Sequence, residues 1–312
     1  MPLTWASRTA FGKRGLACAL ALFLTVAVQD PGEGGAADAQ SGLAQVPGGN
    51  GAWLSPAPAL VADDPLALAD PQSTAVIVFL PGSSTEGRAD NCRPLEPRVG
   101  TTPKILRDLA GQSIAGRTLA VFGFCSDTKL GSFRKDRYVG TPKVIGRRDD
   151  LRALVRAFRA AGLPAEHLFL AGHSAGGWAA LLLQRDDPAG INAVVAFAPA
   201  FTGPRDRRTA SWSRVRQEMV DHLGEAERLQ ALVMAVVDDP YNRPQDLAFL
   251  EAVPGVQLLS LESDNLAGQT CQGGDPHQLV YRDCFAETQG VRITSYLEQR
   301  LVKAERAIRQ AR

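Results

Sequence analysis

The sequence predicts a doubly wound α/β fold, a mostly parallel sheet with helices on both faces. Two observations predict it. From residue 75 onward, short and almost wholly apolar runs alternate with amphipathic stretches, and a glycine-flanked serine stands where one run meets the helix pattern after it. Strands that are apolar on both faces belong in a sheet covered on both sides, and a sheet whose successive strands are joined by helices is parallel.

Taken in order, strands are expected at 75–80, 117–123, 167–171, 191–198, 231–237 and 256–261. Each run has strand length and is bounded by turn formers or charges. Apolar residues recur at helical spacing over 101–110, 144–161, 175–186 and 243–252, and a last helix is expected from about 291 to 308. This order describes a single domain over 75–312. Residues 40–74 are rich in Gly, Ala and Pro without sustained periodicity and are expected to form an exposed lead-in, with Trp53 and Leu54 as its docking side chains.

Residues 1–39 have the three parts of a secretory signal. Basic Arg8, Lys13 and Arg14 precede an uncharged apolar run from Leu16 to Val28, and small residues end at Ala37-Asp38-Ala39. Cleavage is expected before Gln40, with export to the periplasm or beyond. The apolar run falls short of the roughly 20 residues that span a bilayer, so no stable membrane span is expected after processing. Cys18 lies inside the run rather than after it, which argues against a lipid anchor.

The composition, 45% hydrophobic and 21% charged, is that of a globular chain able to bury a sizeable core. Its net charge of +1 supplies no field to draw nucleic acid or an anionic membrane. Cys92, Cys125, Cys271 and Cys284 remain after cleavage, and in an exported chain they are expected to form disulfides. The expected pairs are Cys92 with Cys125 and Cys271 with Cys284, each bracketing a local stretch. A zinc site is disfavoured, because no two-residue Cys spacing or neighbouring His supports it.

Gly172-His173-Ser174-Ala175-Gly176 fits the G-x-S-x-G nucleophile elbow, and it lies between an expected strand and an expected helix, the context the motif requires. The sharp turn strains the serine backbone and needs small neighbours, which Gly172, Gly176 and Gly177 supply. On this elbow, the strand rhythm and the chain order Ser174, Asp239, His277, residues 75–312 resemble the α/β-hydrolase superfamily. Within it the chain looks most like exported serine esterases and dienelactone-hydrolase-like proteins.

The resemblance implies a base in the loop after the last strand, which is His277, between Glu262 and Cys284. His167, His173 and His222 are expected to be structural or solvated. The orienting acid belongs after the strand before last, where Asp239-Pro240-Tyr241-Asn242 resembles the acid loop of the dienelactone hydrolase and esterase relatives. Asp239 is the choice, with Asp238 the alternative and Asp264 a weaker candidate. Oxyanion donors are expected from the amides of Ala175 and Ser83, with Ser84 next after Ser83; Pro81-Gly82 stands where many relatives have His-Gly.

Such relatives act on carboxylic esters without a metal or organic cofactor, so a small or medium ester is the expected substrate. Peptidase or amidase activity on the same fold is the enzymatic alternative, and a non-catalytic binding protein on the same scaffold is the third. Dienelactone hydrolases proper use a cysteine where this chain has Ser174, so the lactone substrate is not carried over. Seven basic residues within 129–148, and Arg205, Arg207, Arg208, Arg214 and Arg216, form basic loops that would favour an anionic group if they face the site, although such runs are more often simply solvated. The second loop is short and polar, which argues against a long-chain lipase.

Overall fold

The computed structural model describes residues 43–83, 102–128, 133–134, 137–138, 143–266, 269–271 and 274–311. Its centre is a nine-stranded sheet. The strands are β1 (Ala44–Val46), β2 (Gly49–Trp53), β3 (Thr74–Leu80), β4 (Ser113–Ile114), β5 (Arg117–Ser126), β6 (Leu168–His173), β7 (Ala193–Phe197), β8 (Ala231–Val236) and β9 (Val256–Leu261). They stand in the order β1-β2-β5-β3-β6-β7-β8-β9, with β4 paired to the start of β5. All pairings from β5 across to β9 are parallel, and the β1–β2, β2–β5 and β4–β5 pairings are antiparallel.

Strands β3, β6, β7 and β8 are buried at every position, as their apolar sequences require. Because side chains alternate across a strand, β3 feeds two separate cores. Val76, Val78 and Leu80 pack with α2 (Lys143–Ala160) and α3 (Ala175–Asp186) on one face. Ala75, Ile77 and Phe79 pack with α1 (Lys104–Leu109) and the C-terminal helix Asp283–Ala311 on the other. No helix among the described residues is long and apolar enough to cross a membrane.

The structure departs most from the sequence expectation in two places. The stretch before residue 74 contains the β1–β2 hairpin, joined to the sheet at β5, with Val46, Ala52, Leu54, Leu66 and Leu68 buried. Its glycines read as a linker but answer to packing. A Cβ on Gly51 would come 2.1 Å from the Phe122 ring, so only glycine lets β2 lie there. Trp53 then packs edge-on against Phe122 and Phe158, at centroid distances of 5.0 and 5.8 Å.

The second departure is α4 (Ala210–Gly224), which occupies part of the expected polar loop at 202–216. Thr209 caps its start by accepting from the Trp212 amide. Of its residues only Trp212 and Leu223 are buried, so the helix leaves almost no apolar periodicity in the sequence. After α5 (Pro244–Leu247), the chain closes with α6 (Asp283–Ala311), which starts before residue 291.

A parallel sheet delivers the loops after its strands to one edge. That edge carries Pro81-Gly82-Ser83 after β3, Ser174 after β6, Asp239 after β8 and the His277 segment after β9.

Candidate active site

The elbow is built by backbone crowding. Ser174 takes φ 52° and ψ −121° between the end of β6 and the first residue of α3, a left-handed conformation that costs a non-glycine residue about 1–3 kcal/mol. Its amide donates to the Phe197 carbonyl at 3.0 Å, and its carbonyl accepts from Trp178 at 3.0 Å, so the strained residue is tied on both sides. A Cβ on Gly172 would lie 2.4 Å from the Gly176 carbonyl carbon, and one on Gly176 would lie 2.0 Å from the Leu80 oxygen. Ala175 is the first residue of α3, where a helix amide has no intrahelical acceptor and faces outward.

The turn after β3 lies directly on the elbow. A Cβ on Gly82 would be 2.9 Å from His173 Nδ1 and 3.0 Å from Ser174 Cβ. Arg147, buried on α2, donates to the Pro81 carbonyl and so fixes this turn from the helix side. Ser83 is exposed, and Ser84 lies outside the described residues. Burial lowers the Arg147 guanidinium to about 10, and burial together with the neighbouring Arg147 charge lowers Lys143, one turn earlier, to about 7.

Asp239 and His277 meet in the interior. His277 Nδ1 donates to Asp239 Oδ2 at 2.7 Å, with His277 4% exposed and Asp239 fully buried. The other carboxylate oxygen, Oδ1, accepts from the amides of Tyr241 at 2.6 Å and Asn242 at 3.3 Å, which supplies the partners a buried carboxylate requires. Asn242 is anchored in turn, donating to the Pro199 carbonyl at 2.8 Å and accepting from Arg208 at 2.8 Å. With its proton on Nδ1, the imidazole keeps Nε2 as an acceptor. Ser174 Oγ makes no hydrogen bond among the described residues, so Ser174 and His277 share the sheet edge without being bonded to each other.

The alternative acids lie elsewhere. Asp238 is exposed and accepts from Ser263 Oγ at 2.6 Å, while Asp264 is exposed and uses its backbone carbonyl to accept from Cys271 at 2.9 Å. His167 sits between Arg117 Nε at 2.8 Å and the Pro71 carbonyl at 3.1 Å, and burial lowers its pKa. His222 pairs with Asp186 at 2.8 Å. Among the described residues no group of three or more His, Cys, Asp or Glu is arranged to hold a metal ion.

His173 has a more specific place than the sequence indicates. Its Nε2–H donates to the His277 carbonyl at 2.7 Å, and the Tyr281 hydroxyl donates to its Nδ1 at 3.3 Å. Tyr281 and Arg147 were not singled out from the sequence, and Arg147 leaves the clearer trace there. It is a cation inside the apolar stripe Val144, Leu151, Leu154, Val155 and Phe158 of α2.

Burial, with His277 and Arg147 nearby, holds the His173 imidazole down at about 3. Unfolding frees it to protonate at the ordinary value of about 6.5. Its contribution to stability is therefore fully present above about pH 6.5 and is lost as the pH falls toward 3. By pH 4.5 the expected loss is roughly 2–3 kcal/mol. Urea midpoints at pH 7 and 4.5 check this: the wild type is expected to lose that much more than His173→Phe, and equal losses would reject it.

Cys271 and Cys284 form a disulfide with Cα atoms 5.6 Å apart, bracketing His277 as expected. Cys92, and with it the expected Cys92–Cys125 pair, lies outside the described residues.

Residues 142–256 match the family described as serine aminopeptidase, S33. Among solved structures, the chain is similar to an esterase of the Planctomycetes species Thermogutta terrifontis, at 16% identity over 80% of this chain and 85% of that one, with a TM-score of 0.43. It is also similar to Est1E from Butyrivibrio proteoclasticus, at 11% identity over 81% and 94% of the two chains, TM-score 0.45. An α/β serine hydrolase homologue from Coxiella burnetii is similar at 14% identity over 82% and 94%, TM-score 0.41. No curated protein sequence matches the chain. The doubly wound, mostly parallel sheet and the glycine-bounded strand-to-helix elbow, with this family match over 142–256, give the chain a fold of the α/β-hydrolase type.

Proposed function

We propose that this protein is an exported serine hydrolase that cleaves small or medium carboxylic esters through an acyl-enzyme on Ser174. The observation that carries the reading is the buried Asp239–His277 hydrogen bond of 2.7 Å, at the sheet edge where the elbow presents Ser174. A serine hydroxyl needs a base to take its proton, and the base needs a partner that fixes its tautomer. Asp239 does this for His277, leaving Nε2 to receive the proton.

In the reaction, Ser174 Oγ attacks the ester carbonyl carbon as its proton passes to His277 Nε2. The Ala175 and Ser83 amides take up the negative charge on the carbonyl oxygen. His277 returns the proton to the departing alcohol, leaving an acyl group on Ser174. A water, deprotonated by the same Nε2, then releases the acid. Ser174 Oγ must approach Nε2 when substrate binds, and such contacts commonly tighten only in the complex.

Export is supported by the signal pattern of residues 1–39 and by the Cys271–Cys284 disulfide. N-terminal sequencing of the secreted protein is expected to begin at Gln40, and a start at Met1 would refute processing. A second reading, peptide or amide hydrolysis, is favoured by the description of the family that matches 142–256. Against an aminopeptidase stands Arg147, a cation bonded to the Pro81 turn that would repel a charged amino terminus. The test is a panel of nitrophenyl esters of increasing acyl length with matched anilides, on wild type and Ser174→Ala. Turnover of the shorter esters, absent in Ser174→Ala, is expected. Anilide turnover at comparable rates would favour the second reading, and turnover retained by Ser174→Ala would end both.

A further inference from the structure

We infer that His173 is a positioning residue that locks the loop carrying the base His277 onto the nucleophile elbow. The inference rests on the reading of His277 as the base, and it starts from how His277 is held. Its amide donates to Asp275 Oδ1 at 2.9 Å, its Nδ1–H to Asp239 at 2.7 Å, and its carbonyl accepts from His173 Nε2 at 2.7 Å. Every polar atom of His277 except Nε2, the one left for chemistry, thus has a partner.

Of these three partners only His173 belongs to the elbow, since it immediately precedes Ser174. The residue is 2% exposed, and its ring faces two further segments of the site, the His277–Tyr281 segment and the Gly82 turn. The ring centroid is 4.7 Å from that of His277 and 5.1 Å from that of Tyr281, and the Gly82 turn approaches Nδ1 so closely that a Cβ there would fall at 2.9 Å. A rigid ring with one donor therefore sets the spacing between nucleophile, base and oxyanion turn together.

The bond to the His277 carbonyl requires the proton on Nε2, and Tyr281 selects that tautomer by donating to Nδ1. Tyr281 is partly exposed along its length, yet its phenol end is buried, and burial raises its pKa, so it remains a donor. Burial, with His277 and Arg147 nearby, keeps the ring neutral, so no second imidazolium appears beside His277 when it takes the serine proton.

The test compares wild type, His173→Phe, which keeps a ring and loses the donor, and His173→Gln, whose side-chain amide can replace it. For His173→Phe, kcat on a short ester is expected to fall about a hundredfold with KM nearly unchanged, the cost of a base displaced by about an ångström. His173→Gln is expected to recover most of the loss. Amide exchange of the peptide spanning 275–282 is expected to speed up in His173→Phe while the strand peptides stay protected. Unchanged exchange and kcat, or exchange raised equally throughout the domain, would overturn the inference. If wild type shows no Ser174-dependent turnover, the catalytic reading fails, and the exchange arm still decides whether His173 locks the loop. Should His173→Phe not fold, Tyr281→Phe, which releases Nδ1 and lets the proton leave Nε2, is expected to speed exchange over 275–282 and lower kcat; no change in either would overturn the inference.

Discussion

Asp239→Asn is expected to lower turnover about ten-thousandfold while leaving the fold intact. The direction follows from which oxygen of the carboxylate does what. Oδ1 accepts two backbone amides, from Tyr241 and Asn242, so the carbonyl oxygen of an asparagine has to remain at that place. Its NH2 group then faces His277 Nδ1, where Asp239 Oδ2 now accepts a proton. The imidazole must turn from donor to acceptor at Nδ1, which moves its proton to Nε2 and leaves it unable to take one from Ser174. Asp238→Asn is the control, since that carboxylate bonds Ser263 and is exposed, and a change of less than a few fold is expected. Steady-state kcat on one short ester checks both variants. Turnover close to wild type in Asp239→Asn would remove this residue from the mechanism.

Gly176→Ala is expected to lower stability by about 2–3 kcal/mol and to abolish most activity with it. The clash begins at the first added carbon, 2.0 Å from the Leu80 carbonyl oxygen and 2.7 Å from that of Pro81. Both contacts are backbone, so neither can rotate away, and the relief available is to push the Pro81-Gly82-Ser83 turn off the elbow. That displaces the Ser83 amide as well as loosening the join between β3 and α3. Gly224→Ala is a suitable comparison, because its Cβ would meet only the Phe249 ring at an ordinary 3.7 Å. Near-neutral behaviour is expected there, helped by the better helix propensity of alanine. Urea midpoints and ester turnover, measured together, separate the two effects. A Gly176→Ala protein with wild-type stability and turnover would contradict the crowded elbow.

How far the sequence could be read depended on the range of the forces involved. The central strands were legible because burial on both faces leaves an uninterrupted apolar run, and β9 matched its expected range of 256–261. The elbow was legible because its requirements, a serine among glycines between strand and helix, all lie within a few consecutive residues. The β1–β2 hairpin was hidden because Gly51 is demanded by the Phe122 ring, a residue far along the chain, and glycine otherwise signals a linker. Helix α4 was hidden because it buries too few residues to show a period.

Within the site, Asp238 and Asp239 are adjacent in sequence, and nothing local distinguishes them. The turn after β8 points one carboxylate into the interior and leaves the other in solvent, a difference that exists only once β9 and the His277 loop are in place. Tyr281, Arg147 and the bond from His173 to the His277 carbonyl likewise depend on loops brought together from separate strands.

The central claim is that Ser174 is a nucleophile activated by His277 and Asp239. It is tested most directly by treating the folded, mature protein with a fluorophosphonate and locating the adduct by peptide mass spectrometry. The account predicts a single adduct on Ser174, absent in Ser174→Ala and formed far more slowly in Asp239→Asn. A folded protein that takes no label, or takes it equally well without Ser174, would contradict it.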